Sequence, residues 1–385
     1  MNKKEIIIQD TTLRDGEQTP GIAFNLDAKL KIFRILEKIG VDCIEVGFPA
    51  ASSEEENIIK NLCKKLDKKH TTICVFARAL EKDILIAREV TKLAKNVKIQ
   101  IVAPVSDIQI KYSINKDKEQ IICQLKKTID LAKKYFNSIQ FTAQDSTRAN
   151  MTFLNNVLNI AVKHGASSIC LPDTTGFSTP MEYTKLIKKV RKQFINNKKI
   201  KISAHCHNDL GLATANTLAA IENEVDQVEC TLGGLGERAG NAPLEEILAI
   251  LNLKYKNMLS KNINFKYFSK AKELIESICQ IKIHNNKPIL GKNVFTHASG
   301  MHQKAVLENR ESFEILKSEK FGIKGGILSF GKLSGKSALI KILNENNLSS
   351  GKIDVEKIIP YLKKEAEAKK TLTFLDIKRI ISKVK

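Results

Sequence analysis

The chain has 385 residues with 43% hydrophobic content, which is enough for a large core and one appended domain. Its formal net charge of +21 is spread over many segments, and with only 6% aromatic residues and no tryptophan it argues against a nucleic-acid-binding arm. A diffuse positive field of this kind suits small anionic substrates about as well as it suits phosphate backbones.

The N-terminus and the cysteines predict a cytoplasmic protein. The first residues, MNKKEIIIQD, lack the apolar segment and the cleavage site of a signal peptide. No apolar run approaches the roughly 20 residues that span a bilayer, so we expect no membrane association. The eight cysteines form no Cys-x-x-Cys pair, which indicates neither a disulfide framework nor a structural zinc site. We expect reduced, buried thiols.

Short β-branched runs alternate with longer segments of helical period from residue 5 to about residue 252. The predicted strands are Ile6–Gln9, Val41–Gly47, Thr72–Ala77, Val97–Val102, Ser138–Thr142, Ser168–Leu171, Ile200–His207 and Gln227–Thr231. The predicted helices are Leu26–Ile39, Glu54–Leu66, Glu81–Lys95, Lys116–Tyr135, Met151–His164, Met181–Phe194, Leu210–Asn223 and Leu244–Leu253. Repeated units of this kind indicate parallel strands joined by crossover helices. Eight units in about 250 residues favour an α/β fold, a closed (β/α)8 TIM barrel, over an open doubly wound sheet.

The pattern of alternating strands and helices ends after residue 255. Helical patterns dominate from there, with glycine-rich breaks and no further alternation of strands and helices. The sequence therefore predicts a catalytic barrel over residues 1–255, followed over residues 256–385 by a linker and small, mostly helical subdomains.

Two of the seven histidines, His205 and His207, lie one residue apart at the end of the seventh predicted strand. Alternate side chains of a strand share a face, so both imidazoles point the same way. If that face is the barrel interior, the pair and the carboxylate of Asp15, just past the first strand, form a plausible site for a divalent cation such as Mg2+, Mn2+ or Zn2+. From the spacing alone, it is equally reasonable that the histidines only cap the strand by hydrogen bonds to the backbone.

Arg14 stands beside Asp15. A guanidinium at this place could stabilise an oxyanion that develops on a carbonyl substrate. Taken by itself, the pair could also be an ordinary ion pair at the surface or at the barrel end.

Several long motifs resemble the 2-isopropylmalate synthase and homocitrate synthase family of Claisen-condensing metalloenzymes. The principal ones are DTTLRDGEQ at 10–18, HCHNDLGLATAN at 205–216 and GERAGNAPLEE at 236–246. They are supported by EVGFPAAS at 45–52, DTTGFSTP at 173–180, SGMHQ at 299–303 and ENRESFEI at 308–315. The resemblance extends over nearly the whole chain, and the residues that make up the motifs favour the isopropylmalate synthases.

The resemblance implies a (β/α)8 barrel with helical subdomains, used as a homodimer in which the neighbour's subdomain covers the active site. It implies acetyl-CoA and a 2-oxo acid as substrates and a divalent metal as cofactor. The metal ligands of the family correspond to Asp15, His205, His207 and Asn241. Among the other matching residues, Arg14 would stabilise the developing alkoxide, Thr142 and Thr174 would contact the oxo acid, and His302 would take part in removing a proton from the acetyl-CoA methyl group.

Four residues depart from the usual pattern of the family. Gln109 stands where many relatives have histidine, Gln144 replaces glutamate, Lys304 replaces aspartate and Phe313 replaces tyrosine. We expect Gln109 and Gln144 to lie at strand ends and to face the substrate. A different oxo acid, reduced activity or tolerance of polar exchanges would each explain these departures, because a glutamine conserves the shape of glutamate and removes its charge.

The leading hypothesis is condensation of acetyl-CoA with 2-oxoisovalerate to 2-isopropylmalate and CoA, in leucine biosynthesis. Homocitrate synthase with 2-oxoglutarate and citramalate synthase with pyruvate are the alternatives within the family, and a related lyase or an inactive homologue is less favoured. Long members of the family carry a C-terminal leucine-binding domain. Since residues 353–385 resemble the end of a helical subdomain, we expect a short form that leucine does not inhibit through such a domain.

Overall fold

The computed structural model describes residues 5–65, 71–197, 199–259, 263–323, 325–348 and 353–384. The chain forms two compact units, residues 1–282 and residues 283–385. Among the described residues, no helix combines the length and the apolar character that a bilayer-spanning segment needs.

The first unit contains a closed barrel of eight parallel strands in chain order, with the first strand paired to the eighth. The strands are β1 Ile7–Asp10, β2 Cys43–Glu45, β3 Thr72–Arg78, β4 Val97–Pro104, β5 Ser138–Gln144, β6 Ser168–Asp173, β7 Lys201–Cys206 and β8 Gln227–Cys230. Their carboxyl ends meet at one rim because all eight run in the same direction. The predicted TIM barrel is confirmed.

Helices connect the strands around the outside of the barrel. Their bounds are α1 Leu26–Ile39, α2 Ser53–Lys65, α3 Glu81–Thr91, α4 Asp107–Ser113, α5 Lys118–Ala132, α6 Met151–His164, α7 Pro180–Gln193, α8 Ala213–Glu222 and α9 Leu244–Lys254, with α10 Tyr267–Cys279 following. Helix α1 shows why these segments fold as they do. The Asn25 side chain accepts a hydrogen bond from the amide of Ala28 at its start, and Gly40 ends it in the left-handed conformation. The predicted helix over 54–66 is present, although Leu66 lies outside the described residues.

Helix α4 was not predicted, and it corrects the expected position of Gln109. The strand β4 ends at Pro104, and Ser106 then caps a short helix by accepting a hydrogen bond from the amide of Gln109. Gln109 therefore lies in the first turn of a helix and not at a strand end. The seven-residue helix is too short to leave a clear periodic signal in the sequence.

Alternate residues of each strand face the helices or the barrel interior. The outward side chains, such as Ile8, Ile44 and Ile99, are fully buried under the helix layer. Each contributes about 1.5–3 kcal/mol through removal from water. The interior is unusually polar: buried Gln9, Lys98, Gln100, Gln140, Ser203, Gln227 and Glu229 lie below the rim.

The second unit is mainly helical. It contains α11 Gly300–Glu308, α12 Lys336–Glu345, α13 Val355–Lys369 and α14 Phe374–Val384, and the last three share a core with Phe330 and Leu372. Two short strands, β9 Thr296–His297 and β10 Ile327–Leu328, pair in parallel. This strand pair was not expected from the helical patterns after residue 255. The domain boundary predicted at residue 255 stays a prediction.

Candidate active site

Side chains that follow β1 and side chains at the end of β7 meet at the rim formed by the carboxyl ends of the strands. Asp15 follows β1 and immediately precedes a single 3-10 turn over Gly16–Gln18. His205 lies on β7, which pairs with β8, and β8 in turn pairs with β1. His207 follows β7 directly and forms an isolated antiparallel bridge with Asn241.

Asp15, His205 and His207 form a buried cluster whose ligand atoms all lie within 4.8 Å of one another. The Nε2 atoms of the two histidines are 3.1 Å apart. Oδ2 of Asp15 is 3.7 Å from Nε2 of His205 and 3.8 Å from Nε2 of His207. Two nitrogen ligands held at about 2.1 Å from one cation, roughly at a right angle, would themselves lie about 3 Å apart. The donor set and its spacing therefore fit a divalent cation.

Asn241 adds a further oxygen at this place. Its Nδ2 donates hydrogen bonds to Oδ1 of Asp15 at 2.8 Å and to the carbonyl of Leu235 at 3.0 Å. Its Oδ1 is buried and finds no hydrogen-bond partner among the described residues, and the same holds for Nδ1 of His207. A buried acceptor without a partner costs about 1–3 kcal/mol, so a ligand for this oxygen would be stabilising. Gly236, at φ +151°, leaves the space that a Cβ would take from the Asn241 amide.

The electrostatics around Asp15 and His207 favour the protonation states that a metal site needs. Burial would raise the pKa of Asp15, but the charges of Arg14, His207 and His205 and the hydrogen bond from Asn241 hold it well below its usual range. Burial lowers the pKa of His207 to about 4, although Asp15 opposes this shift. At neutral pH the site thus offers a carboxylate and a neutral imidazole, the forms that bind cations.

His205 has an additional partner on the neighbouring strand. Its Nδ1 lies 3.1 Å from Oε2 of Glu229, a fully buried residue of β8. Burial alone would lower the pKa of His205, but the hydrogen bond to Glu229 and the charges of Glu229 and Asp15 raise it. Sequence reasoning did not identify Glu229. The sequence does contain an indication of its position. Glu229 follows Gln227 by two residues in the same strand, so both side chains lie on the same face.

Arg14 is held between two carboxylates. Its Nε is 2.8 Å from Oε2 of Glu45, and its Nη1 is 2.7 Å from Oδ2 of Asp15. The guanidinium carbon lies 5.0 Å from the centre of the Phe76 ring. Burial opposes the positive charge, but Glu45 and Asp15 raise the pKa of Arg14 above its usual value. Arg14 is thus a fixed cation beside the cluster and not a solvated ion pair.

A cavity of about 460 Å³ opens beside the cluster. Of the predicted substrate-binding residues, Thr142, Gln144 and Thr174 line it, whereas Gln109 does not. Its further lining includes the apolar side chains of Phe76, Val102 and Pro172. His302 belongs to the second unit, where its exposed ring stacks on Phe313 with 3.9 Å between the ring centres.

Two protein-family models match this chain. The HMGL-like model matches residues 5–275, and a model described as the homocitrate synthase post-HMGL domain matches residues 289–370. The chain is 39% identical over 381 residues to a 2-isopropylmalate synthase of Pyrococcus abyssi, covering 98% of this chain and 78% of the relative. It is 39% identical over 384 residues to 2-isopropylmalate synthase 1 of Caldanaerobacter subterraneus, covering 99% of this chain and 96% of the relative.

Among solved structures, the chain is similar to hydroxymethylglutaryl-CoA lyase from Pseudomonas aeruginosa. The TM-score is 0.64 with 18% identity, and the match covers 74% of this chain and 96% of the lyase. At this level of identity the likeness shows the barrel fold and carries no information about the reaction.

Proposed function

This chain belongs to the HMGL-like family and, within it, to the 2-isopropylmalate synthases, and from this premise we propose that it joins the acetyl group of acetyl-CoA to 2-oxoisovalerate and that water then hydrolyses the thioester of the product, giving 2-isopropylmalate and CoA. It is an acyltransferase of the condensing type, acting in leucine biosynthesis. One observation carries the proposal: Asp15, His205 and His207 converge at the rim of the barrel in a chain that matches these synthases over nearly its whole length.

Asp15, His205, His207 and Asn241 are the residues that would hold a divalent cation. When bound, the cation would polarise the ketone of the 2-oxo acid and so favour attack on its carbon. The mixed nitrogen and oxygen donors are compatible with Mg2+, Mn2+ or Zn2+. Thr142, Gln144 and Thr174 would orient the oxo acid through hydrogen bonds from the cavity wall.

Arg14 would stabilise the negative charge that develops on the ketone oxygen during the condensation. The contacts with Glu45 and Asp15 support this role, because they fix the guanidinium before the substrate arrives. A preorganised donor of this kind needs little rearrangement during the reaction.

His302 would take part in removing a proton from the methyl group of acetyl-CoA. We propose that the chain works as a homodimer and that His302 acts at the active site of the partner subunit. In support, His302 is exposed on its own unit, together with the apolar side chains of Met301, Phe313 and Ile315. Exposed apolar groups of this kind are typical of a surface that another protein covers.

The cavity favours 2-oxoisovalerate over 2-oxoglutarate. Phe76, Val102 and Pro172 offer an apolar wall to an isopropyl group. A second carboxylate would need a cation, yet among the described lining residues Arg14 is paired with Glu45 and Asp15, and Arg238 is paired with Asp209. Leaving a second carboxylate without a partner would cost several kcal/mol.

A lyase that runs the reverse carbon–carbon cleavage is the second candidate on this scaffold, and such lyases depend on a cysteine in a mobile loop. Cys230 is the last residue of β8 and is fully buried, and in the described residues that follow β8 the next cysteine is Cys279, at the end of α10. We therefore favour the synthase. A cytoplasmic location stays a prediction.

The test is release of the free CoA thiol with acetyl-CoA and each of 2-oxoisovalerate, pyruvate and 2-oxoglutarate. We expect the highest kcat/KM with 2-oxoisovalerate and loss of activity on treatment with a chelator. A preference for pyruvate would identify a citramalate synthase, and a preference for 2-oxoglutarate a homocitrate synthase. No release with any of them, from protein that binds metal, would identify an inactive homologue.

A further inference from the structure

A lysine lies at the centre of the barrel, below the candidate active site. Lys98 on β4 is 5% exposed, and its ammonium group donates hydrogen bonds to the side-chain oxygens of Gln9, of Gln140 at 3.2 Å and of Gln227 at 3.0 Å. An ammonium group has three donors, so all three are used. The interior of a TIM barrel is usually packed with branched apolar side chains. A buried cation at this place therefore requires an explanation other than packing.

Lys98 fixes the orientation of two glutamine amides. Because an ammonium group can only donate, Gln140 and Gln227 must turn their oxygens toward Lys98 and their NH2 groups away from it. The Nε2 atoms then donate to Oε1 of Glu229, at 2.7 Å from Gln140 and 3.3 Å from Gln227. Turning either amide over would bring its oxygen against the Glu229 carboxylate and its NH2 group against the ammonium, and both contacts are repulsive.

The same chain of hydrogen bonds continues to His205. Oε1 of Glu229 accepts hydrogen bonds from the two glutamines and from the hydroxyl of Ser203 at 3.0 Å, and Oε2 lies 3.1 Å from Nδ1 of His205. A carboxylate can only accept hydrogen bonds, so His205 carries a proton on Nδ1. Its Nε2 is then the atom that faces Asp15 and His207.

We propose that Lys98 is a positioning residue for the metal site: it orients Gln140 and Gln227 so that Glu229 holds His205 with Nε2 directed at the cation. The inference rests on the proposed site of Asp15, His205 and His207. Outer groups that orient a metal-binding histidine typically change metal affinity by about 10- to 100-fold when removed. Lys98 acts through the intervening residues, since its ammonium contacts glutamine side chains and not His205.

The experiment measures the Kd of the purified, chelator-treated protein for Mn2+ from the free ion detected by electron paramagnetic resonance. The variants are Lys98→Met, Glu229→Gln, the double variant, and Gln9→Leu as a matched control. Gln9 also contacts Lys98, and its Oε1 accepts a hydrogen bond of 3.4 Å from Nε2 of Gln227, but in the described residues no hydrogen bond joins Gln9 itself to Glu229. Thermal unfolding of each variant establishes that it is folded.

We expect Lys98→Met and Glu229→Gln each to raise the Kd about tenfold or more. The double variant should bind about as weakly as Glu229→Gln alone, since Lys98 acts through Glu229. Gln9→Leu should stay within about threefold of wild type, because it leaves the donors to Glu229 in place. If Lys98→Met does not fold, Gln140→Leu removes a donor to Glu229 directly and should raise the Kd in the same way.

Three outcomes would overturn the inference: unchanged affinity in Lys98→Met, an equal loss in Gln9→Leu, or a double variant whose loss is the full product of the single losses. If the wild-type protein itself does not bind Mn2+, the proposed metal site fails, and with it the proposed function. Failure of the inference and failure of the function are therefore distinguished within the same titration.

Discussion

Arg14 and Glu45 form a buried ion pair, with 2.8 Å between Nε and Oε2, that joins the loop after β1 to the end of β2. Glu45 is fully buried, and the same oxygen also accepts a hydrogen bond from the hydroxyl of Thr11. Glu45 thus fixes the guanidinium beside the cluster of Asp15, His205 and His207, where we propose that Arg14 meets the negative charge developing on the ketone oxygen.

Glu45→Gln should therefore lower kcat with little loss of fold. The amide keeps the shape of the side chain but removes the charge that holds Arg14, so we expect about a tenfold or larger decrease in kcat. The exposed Glu54→Gln, at the start of α2, is the matched control and should retain the wild-type rate. Steady-state thiol release measures both. An unchanged kcat in Glu45→Gln would show that the ion pair does not orient a catalytic group.

Gly47→Ala should destabilise the first unit. Gly47 adopts φ +143°, and an added Cβ would overlap Oε1 of Glu55 and lie 2.9 Å from Nζ of Lys29. Lys29 is fully buried, and its ion pair with Glu55 measures 2.6 Å. We expect a loss of about 2–4 kcal/mol in the free energy of unfolding in urea.

The control for this prediction is Gly21→Ala. Gly21 also has a positive φ, +85°, but an added Cβ there meets no atom of the described residues within 4 Å. It should cost only about 1 kcal/mol of backbone strain. Equal losses in the two variants would mean that the backbone conformation alone, and not the crowding against Lys29 and Glu55, determines the need for glycine at position 47.

Asp10→Asn should change how stability depends on pH. Burial of the Asp10 carboxyl, opposed by hydrogen bonds from Thr12 and reinforced by the charges of Glu245 and Glu45, raises its pKa to about 7 from 3.8. The folded state then binds the proton more tightly than the unfolded state. This contribution to stability is complete below about pH 4 and is lost as the pH rises through about 7.

The measurement is the free energy of unfolding of wild type relative to Asp10→Asn at pH 5 and at pH 8. The free energy of unfolding of wild type minus that of Asp10→Asn should decrease by about 1 kcal/mol or more from pH 5 to pH 8, because a pKa shift of one unit corresponds to about 1.4 kcal/mol. The matched control is Asp27→Asn, a side chain that is exposed in the folded state. A difference that stays constant, or that grows with pH, would contradict the shift assigned to Asp10.

Mixed dimers test the proposed sharing of residues between subunits. Arg14→Ala and His302→Ala should each be nearly inactive alone. After co-expression they should recover about a quarter of the wild-type rate, because half of randomly assorted dimers are mixed and each mixed dimer keeps one complete site. Co-expression of Arg14→Ala with a chain that carries both Arg14→Ala and His302→Ala is the control and should restore nothing. No recovery from mixed dimers isolated by two different tags would place His302 in its own subunit's site or outside catalysis.

The barrel was predictable because its strands and helices have strong local periods, as α1 and α6 show with bounds that match the predicted ones. Asp15, His205 and His207 were identifiable because the strand ends of a closed barrel meet at one rim. Lys98 was not identifiable as a central residue, since the alternation of Val97–Pro104 also suits a strand with one solvated face. The parallel pair of β9 and β10 joins segments about 30 residues apart, and two-residue strands leave no local pattern.

The proposed reaction depends on a divalent cation held by Asp15, His205 and His207, and anomalous diffraction from crystals grown with Zn2+ tests this most directly. We predict one strong peak within about 2.5 Å of Nε2 of His205, Nε2 of His207 and a carboxylate oxygen of Asp15. A peak at another place, or an imidazole of this pair turned away from Asp15 in a fully loaded crystal, would contradict the proposed site and the reaction assigned to it.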